Sequence, residues 1–286
     1  MSIKRTKGVK NIRILRVEGE KTKNMQDVVA REFPLTIVLN DKELITLLCT
    51  PVNLDYLAVG FLFTEGLIKK KKDIKKLQVD KKRGVVWVET NSKKNMPSEF
   101  LSRRYITTGC GKGTSFIDAK HSRNIKKNTS EISIRPERII TLMREFQEQS
   151  ETHRMTGGVH SAALCDADRI ILFAEDIGRH SAIDKILGQC LLKGISTKER
   201  ILITSGRISS EILLKIANGR IPIIVSKSAP TDLGVSLSDK LGITLIGFAR
   251  GSRMNVYSGG WRVMTAGQSQ QAAEQKTTRA APSRSP

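Results

Sequence analysis

A cysteine and a lysine lie in a glycine-rich segment, residues 107–116, which reads TTGCGKGTSF. Three glycines within five residues raise the entropic cost of ordering this segment, which a structural role alone explains poorly. The thiolate of Cys110 would be a strong nucleophile, and Lys112 and the backbone N–H groups of the loop would lower the pKa of Cys110. Flexible flanks would let this cysteine accept sulfur from one protein and give it to another. A small residue buried in a tight turn would give the same sequence, so both interpretations remain open on these residues alone.

Four polar segments follow four predicted strands in the second half of the chain. They are AEDIGRH, TSGRISS, SKSAPTD and FARGSR. The carboxyl ends of parallel strands meet at one edge of a sheet, so we expect His180, Arg207, Lys227 and Arg250 to form a basic rim there. Two of the segments lead into helices whose free N–H groups suit phosphate. Helix capping or surface ion pairs would explain each loop singly, but the repetition favours a site for an anionic, nucleotide-like ligand.

The elements that must position these residues are predicted from periodicity and turn residues. Hairpins are predicted around residues 40–42 and 82–84, with a helix that begins at Asn53 and ends at Gly66 between them. A helix is predicted to begin near Pro136, and alternating short strands and helices follow it. We therefore predict an α/β fold with a mostly parallel sheet in the core and a smaller strand-rich N-terminal region.

We divide the chain into four parts on these grounds. Residues 1–28 are expected to be a basic, partly disordered segment, and residues 29–127 a mixed α/β region that ends in the Cys110 loop. Residues 128–264 are expected to be the α/β core, and residues 265–286, without aromatic residues, a disordered tail.

The chain of 286 residues carries a net charge of +21, and residues 69–83 alone hold nine basic and two acidic side chains. Such charge favours acidic partners, and the basic run could dock one of them. Nucleic-acid binding is disfavoured, because aromatic residues make up only 5% of the chain and no recognition motif is present.

Several other classes of protein are excluded by the sequence. The four cysteines have no paired spacing and no apolar signal segment follows the N-terminus, which indicates a reduced, cytoplasmic chain. No apolar run approaches the ~20 residues that cross a bilayer, so we expect no membrane insertion.

The chain has no Cys-x-x-Cys motif, so we expect no zinc or other metal site. Ile106 stands where a phosphate-binding P-loop would need its first glycine. Cys49, Cys165 and Cys190 lie in apolar stretches and are expected in the core.

Long strings between about residues 29 and 262 resemble the FdhD family, the formate dehydrogenase accessory sulfurtransferases. The strings are TPVNLDYLAVGFLFTEGLI, TTGCGKG, MTGGVHSAALCD, EDIGRHSAIDKILG, TSGRISSEILLK and IPIIVSKSAPTDLGVSLSDKLGITLIGFARGSRMNVY. The resemblance implies a cytidine-deaminase-like core without the deaminase zinc, usually in a homodimer.

The resemblance also implies a function and a set of site residues. Family members take sulfur from a cysteine desulfurase as a persulfide, here on Cys110, and pass it to the molybdenum cofactor, in its bis-guanine dinucleotide form, for formate dehydrogenase. Residues 128–264 would then be the cofactor-binding part. The cofactor-contacting residues implied are Phe248, Ala249, Arg250, Gly251, Ser252 and Arg253. An alternative is a chaperone that holds the cofactor without transferring sulfur.

The chain departs from the family pattern at one position. Many members carry Cys-Gly-x-Cys-Gly, whereas Gly113 stands at the second cysteine position here. A mechanism that needs a disulfide between the two cysteines is therefore closed to this protein. A relay through the persulfide of Cys110 alone remains open.

Overall fold

A computed structural model describes residues 8–91, 105–106 and 125–263 of the chain. Cys110, Lys112 and the whole tail predicted to be disordered, residues 265–286, lie outside the described residues. The described strands are β1 (Val9–Glu18), β2 (Lys21–Ala30), β3 (Phe33–Leu39), β4 (Lys42–Cys49), β5 (Ile74–Asp80), β6 (Val85–Thr90), β7 (Tyr105–Ile106), β8 (His160–Cys165), β9 (Ile170–Asp176), β10 (Ile201–Thr204), β11 (Ile223–Ser226), β12 (Thr244–Arg250) and β13 (Arg253–Ser258). The described helices are α1 (Leu54–Thr64), α2 (Pro136–Gln149), α3 (Glu151–Thr156), α4 (Arg179–Lys193), α5 (Ser210–Asn218) and α6 (Asp232–Leu241).

The larger sheet, called the core sheet below, has the strand order β13-β12-β11-β10-β8-β9. Of its five strand pairings only two, β10 with β11 and β11 with β12, are parallel. The prediction of a mostly parallel sheet was therefore wrong. The reason is the length of two connections: residues 166–169 between β8 and β9, and residues 251–252 between β12 and β13, are far too short for a parallel crossover.

The direction of the strands nevertheless brings four carboxyl ends together. Strand β8 lies between β9 and β10 and is antiparallel to both, so β9, β10, β11 and β12 all run the same way. Their carboxyl ends, with the first residue of β8, form one border of the core sheet, called the carboxyl edge below.

Helices cover the core sheet on both faces. Leu202 of β10 packs with buried residues of α4 and α5, whereas Ile201 and Ile203 pack with residues of α2 on the other face. This alternation is that of a strand whose two faces are both buried. The fold thereby holds the carboxyl edge on a rigid, two-sided core.

A second sheet, called the N-terminal sheet, has the strand order β5-β6-β3-β4-β7. The predicted hairpins are confirmed: β3 pairs with β4 through Asn40 and Asp41, both in the left-handed region, and β5 pairs with β6. Helix α1 follows Asn53 as predicted, and its buried residues share one hydrophobic core with this sheet. The predicted start of α2 at Pro136 is confirmed as well.

Two features of the N-terminal half were not predicted. Strands β1 and β2 form an antiparallel hairpin that extends across residue 28, where we placed a partly disordered segment. Helix α1 also packs directly along α4, because both helices have a glycine at the crossing. A side chain at Gly60 would overlap the carbonyl oxygen of Asp184, and one at Gly188 would overlap that of Tyr56. The two sheets are therefore joined backbone to backbone through these helices.

Candidate functional site

The carboxyl edge collects the predicted basic side chains from separate parts of the chain. Arg179 and His180 open α4 just after β9, and Arg207 follows β10. Lys227 follows β11, and Arg250 ends β12. All five therefore belong to strand ends at the same border of the sheet, as the sequence predicted for His180, Arg207, Lys227 and Arg250.

Hydrogen bonds fix the loops that leave β10 and β11 against each other. The hydroxyl of Ser226 donates to the carbonyl of Gly206 at 2.7 Å and accepts from the backbone N–H of Ser228 at 2.9 Å. The N–H of Ile208 donates to the carbonyl of Ala229 at 3.1 Å. The exits of the two parallel strands are thus held as one unit and need little ordering when a ligand binds.

The two helices that begin at these loops differ at their N-termini. The hydroxyl of Thr231 accepts from the N–H of Gly234 at 3.1 Å and caps α6. Ser209 stands at the N-cap of α5, but its side chain makes no capping bond, and its hydroxyl is buried without a partner among the described residues. The N-terminus of α5 therefore keeps unused donors beside the exposed Arg207, an arrangement that suits an anion.

The cations of the edge lie close enough to perturb one another. Burial lowers the pKa of His160, the first residue of β8, and the positive charges of Arg179, His153, His180 and Lys227 lower it further. The Nδ1 atom of His160 lies 3.2 Å from the hydroxyl oxygen of Ser205. His160 is therefore neutral near pH 7 in the free protein, and the cluster of cations around it favours binding of a negative charge.

The pKa values of two further side chains, at the start of α4, are also lowered. Burial lowers the pKa of His180, although its Nε2 atom lies 3.2 Å from a carboxylate oxygen of Glu211. The pKa of Arg179 is lowered by burial and by the neighbouring Arg207, and its Nε atom is buried without a partner among the described residues. Gly206 permits this arrangement, since a Cβ there would press against the Cβ of Arg179.

The segment FARGSR forms a hairpin turn and does not lead into a helix. Phe248 has a φ of 51°, and its N–H donates to the carbonyl of Ser228 at 3.1 Å. The guanidinium carbon of Arg250 lies 6.0 Å from the centre of the Phe248 ring. Gly251, with a φ of 60°, makes the turn together with Ser252, and Arg253 opens β13.

Exposure separates the six residues of that turn. Arg250, Gly251, Ser252 and Arg253 are exposed, and Phe248 is half-buried. Ala249 is fully buried, and its side chain packs in the core with residues of α2. The turn therefore offers two arginines and one aromatic ring at the end of β12.

The direction of β7 relative to the carboxyl edge follows from its pairing with β4. Ile106, its last residue, pairs in parallel with Leu47 of β4. Strand β4 leads to Thr50, whose N–H donates at 3.1 Å to the carboxylate of Asp176, the last residue of β9. Strand β7 therefore points toward the carboxyl edge. Cys110 lies outside the described residues, four positions after Ile106, and a chain of four residues spans at most about 14 Å.

The three cysteines within the described residues are unreactive. Cys49, Cys165 and Cys190 are buried, as the sequence predicted. Burial raises the pKa of each thiol to about 12. Their thiolates are therefore not populated near pH 7.

The model of the FdhD/NarQ family matches residues 30–264. The chain belongs to the FdhD/NarQ family. A protein named "Sulfur carrier protein FdhD" from Bacillus subtilis is 42% identical over 245 residues, which cover 86% of this chain and 94% of that protein. One of the same name from Listeria monocytogenes serotype 4b is 42% identical over 258 residues, 89% of this chain and 98% of that protein.

A solved structure resembles this member of the FdhD/NarQ family over most of its length. It is described as the crystal structure of a putative formate dehydrogenase accessory protein from Desulfotalea psychrophila. The TM-score is 0.73 at 28% identity, and the match covers 90% of this chain and 99% of that one. The mixed α/β architecture described above is thus shared with a solved structure.

Sequence reasoning missed the buried polar groups behind the edge of this family member. Asp176, which lies within the polar segment AEDIGRH, is fully buried and bonds to Lys185 and Thr50. A lysine on the apolar side of a predicted helix is a signal that could have marked Lys185. The sequence contains no sign of its partner Thr50, which lies 135 positions away.

The part of the chain that the structure describes holds neither a cluster of metal ligands nor a membrane-spanning helix. No three His, Cys, Asp or Glu side chains there come together as ligands for a metal ion. No helix there is long and apolar enough to cross a bilayer.

Proposed function

We propose that this protein is a sulfur carrier for formate dehydrogenase, which holds sulfur as a persulfide on Cys110 and passes it to a molybdenum cofactor bound at the carboxyl edge. The observation that carries the proposal is the direction of β7, which leads the chain toward the cluster of cations four residues before Cys110. The names of the relatives, "Sulfur carrier protein FdhD" and "formate dehydrogenase accessory protein", support the same function.

Loading of Cys110 is a transfer between two thiols. The thiolate of Cys110 attacks the outer sulfur of a persulfide on the donor, a cysteine desulfurase. A new S–S bond forms on Cys110, the S–S bond of the donor breaks, and the donor leaves as a thiolate. Cys49, Cys165 and Cys190 do not compete, because burial raises the pKa of each to about 12. With Gly113 in place of a second cysteine, the persulfide of Cys110 is the carrier by itself.

The carboxyl edge holds the cofactor through its guanine dinucleotide arms. Arg207, Lys227 and the N-terminus of α5 contact phosphates, with Lys112 and His180 in support. Arg250 and Arg253 contact the nucleotide at the β12–β13 turn, and the Phe248 ring stacks on a planar group. The cofactor is substrate here, and the protein works as a homodimer in the cytoplasm.

Mass spectrometry of the intact protein tests the proposal. After incubation with a cysteine desulfurase and cysteine, wild type should gain the mass of one sulfur atom. Cys110→Ala should gain none. Cys190→Ala is the matched control, since it also removes a thiol, and it should load like wild type.

A gain of sulfur mass that persists in Cys110→Ala, or no gain in wild type, would overturn the proposed sulfur-carrier function. The chain would then be a chaperone that holds the cofactor, because the cationic edge does not depend on Cys110.

A further inference from the structure

Two buried lysines join the N-terminal sheet to the core sheet, and each contacts a threonine hydroxyl and an aspartate carboxylate. Lys215 also lies 3.4 Å from a carboxylate oxygen of Glu65. The Thr50 triad consists of Thr50, Asp176 and Lys185: the Nζ atom lies 2.7 Å from both the hydroxyl of Thr50 and the carboxylate of Asp176. The Thr64 triad consists of Thr64, Asp184 and Lys215: the Nζ atom lies 2.8 Å from the hydroxyl and 3.0 Å from the carboxylate. In each triad the threonine follows or ends an N-terminal element, and the two charges belong to the core.

The two triads differ in what they hold in place. The Thr64 triad lies at the end of α1 and inside α5, where Lys215 is about 8 Å along the axis from the helix start at Ser210. It therefore fixes the packing of helices. The Thr50 triad instead lies between the end of β4 and the end of β9, at the carboxyl edge.

Asp176 also fixes the start of α4 with its second oxygen. Its Oδ1 atom accepts from the N–H of Gly178 at 3.0 Å, and Gly178 is the N-cap of the helix that opens with Arg179 and His180. Its Oδ2 atom accepts from the N–H of Thr50 at 3.1 Å and from the hydroxyl of Thr50 at 3.2 Å. One carboxylate thus sets the distance between the cations of the edge and the end of β4.

Strand β7 depends on the same contact. The pairing of Tyr105 with Thr46 and of Ile106 with Leu47 places β7 beside the last part of β4, three residues before Thr50. Lys185 is 1% exposed and donates further to the carbonyl of Glu175 at 3.1 Å. Buried ion pairs contribute little net stability, but they impose a specific geometry on the groups they join.

We propose that Thr50 is a positioning residue for sulfur delivery. Through Asp176 and Lys185 it holds β4, and with it β7, at a fixed distance from the cations of the carboxyl edge. The chain that leaves β7 toward Cys110 thereby starts from one defined point relative to the bound acceptor. This inference rests on the sulfur-carrier function proposed above.

Matched substitutions at the two triads test this role. Thr50→Val and Thr64→Val each remove one buried hydroxyl at nearly constant volume, and Thr50→Ser restores the hydroxyl. Each protein is loaded with sulfur by a cysteine desulfurase, and loading is measured by intact mass. The loaded protein is then mixed with formate dehydrogenase purified from cells that lack this chain, and the initial rate of formate oxidation gives sulfur delivery. Thermal unfolding is recorded for every variant.

We expect the Thr50→Val protein to load like wild type but to deliver sulfur on the order of tenfold more slowly, because small misplacements of reacting groups are costly. Thr50→Ser should deliver like wild type. Thr64→Val should lose a similar amount of stability yet deliver at the wild-type rate. If Thr50→Val does not fold, Thr50→Ala, which keeps the backbone bond to Asp176, replaces it, with Thr64→Ala as its control.

Equal delivery by the Thr50 and Thr64 variants would overturn the positioning role, as would failure of Thr50→Ser to restore delivery. Failure of the wild-type protein to take up sulfur is a separate result. It would overturn the sulfur-carrier function itself, and the inference with it, and it is recognised because it appears without any substitution.

Discussion

Positive charges occur in two very different settings in this molecule. Between the sheets, Lys185 and Lys215 are buried, and each lies within 3.0 Å of a carboxylate. At the carboxyl edge, Arg207, Lys227 and Arg250 take part in none of the ion pairs found among the described residues. Neutralised charges of the first kind belong to the fold, because a buried ion requires a partner. The cations at the carboxyl edge lie beside an uncapped helix start and are available to bind an anionic ligand.

The largest expected effect is a loss of stability when one of the buried, paired lysines is removed. Lys215→Met should destabilise the protein by about 3 to 5 kcal/mol, because Asp184 and Glu65 would stay buried without their cation. Lys198→Met is the control, since this lysine is exposed, and it should change stability by less than about 0.5 kcal/mol. Denaturant unfolding measures both. Similar stability of the two variants would contradict the difference between the two settings.

Substitution of the exposed arginines at the carboxyl edge should have a smaller effect. That effect should be on ligand binding and not on stability. Arg250→Ala and Arg253→Ala should each weaken binding of guanosine diphosphate by about 2 kcal/mol, the size of a charged hydrogen bond. Sulfur loading of Cys110 and the unfolding free energy should stay unchanged. Calorimetric titration measures the affinity.

Arg169→Ala is the matched control for these two variants. It removes the same charge from an exposed arginine in the connection between β8 and β9, outside the carboxyl edge. Equal affinity of Arg169→Ala, Arg250→Ala and Arg253→Ala for the nucleotide would remove the turn from the binding site.

The smallest effect concerns the pH dependence of the edge. The pKa of His160 in the folded protein lies below its ordinary value of 6.5, because of burial and the surrounding cations. The unfolded chain therefore binds a proton at this position more readily than the folded chain. The resulting stability is present above pH 6.5 and is lost as the pH falls through the folded pKa.

Thermal unfolding between pH 5 and 8 measures this contribution. Below pH 6.5 the wild-type protein should lose stability more steeply than His160→Gln, which cannot take up the proton. A bound phosphate group should raise the pKa of His160 and reduce the difference. Parallel curves for the two proteins would show that the pKa of His160 is the same in the folded and the unfolded protein, which would contradict the prediction.

The local elements could be predicted from the sequence because their signals are local. Asn40 and Asp41 suit a left-handed turn, Pro136 suits the first turn of a helix, and both elements form where they were predicted. The mostly parallel sheet was wrong, because its prediction depended on how strands pair and not on where they lie. The hairpin of β1 and β2 was missed, since polar residues dominate it and its apolar pattern is weak.

The sequence by itself determined that a glycine-flanked Cys110 and several basic strand exits are present, and it determined the family. Only the tertiary structure decided that β9 runs with β10, β11 and β12, so that these exits share one edge. It also decided that Cys49, Cys165 and Cys190 are unreactive and that Thr50 meets Lys185. Residue types and spacing are encoded locally, whereas burial and partnership depend on contacts between residues more than a hundred positions apart, which packing of the whole chain creates.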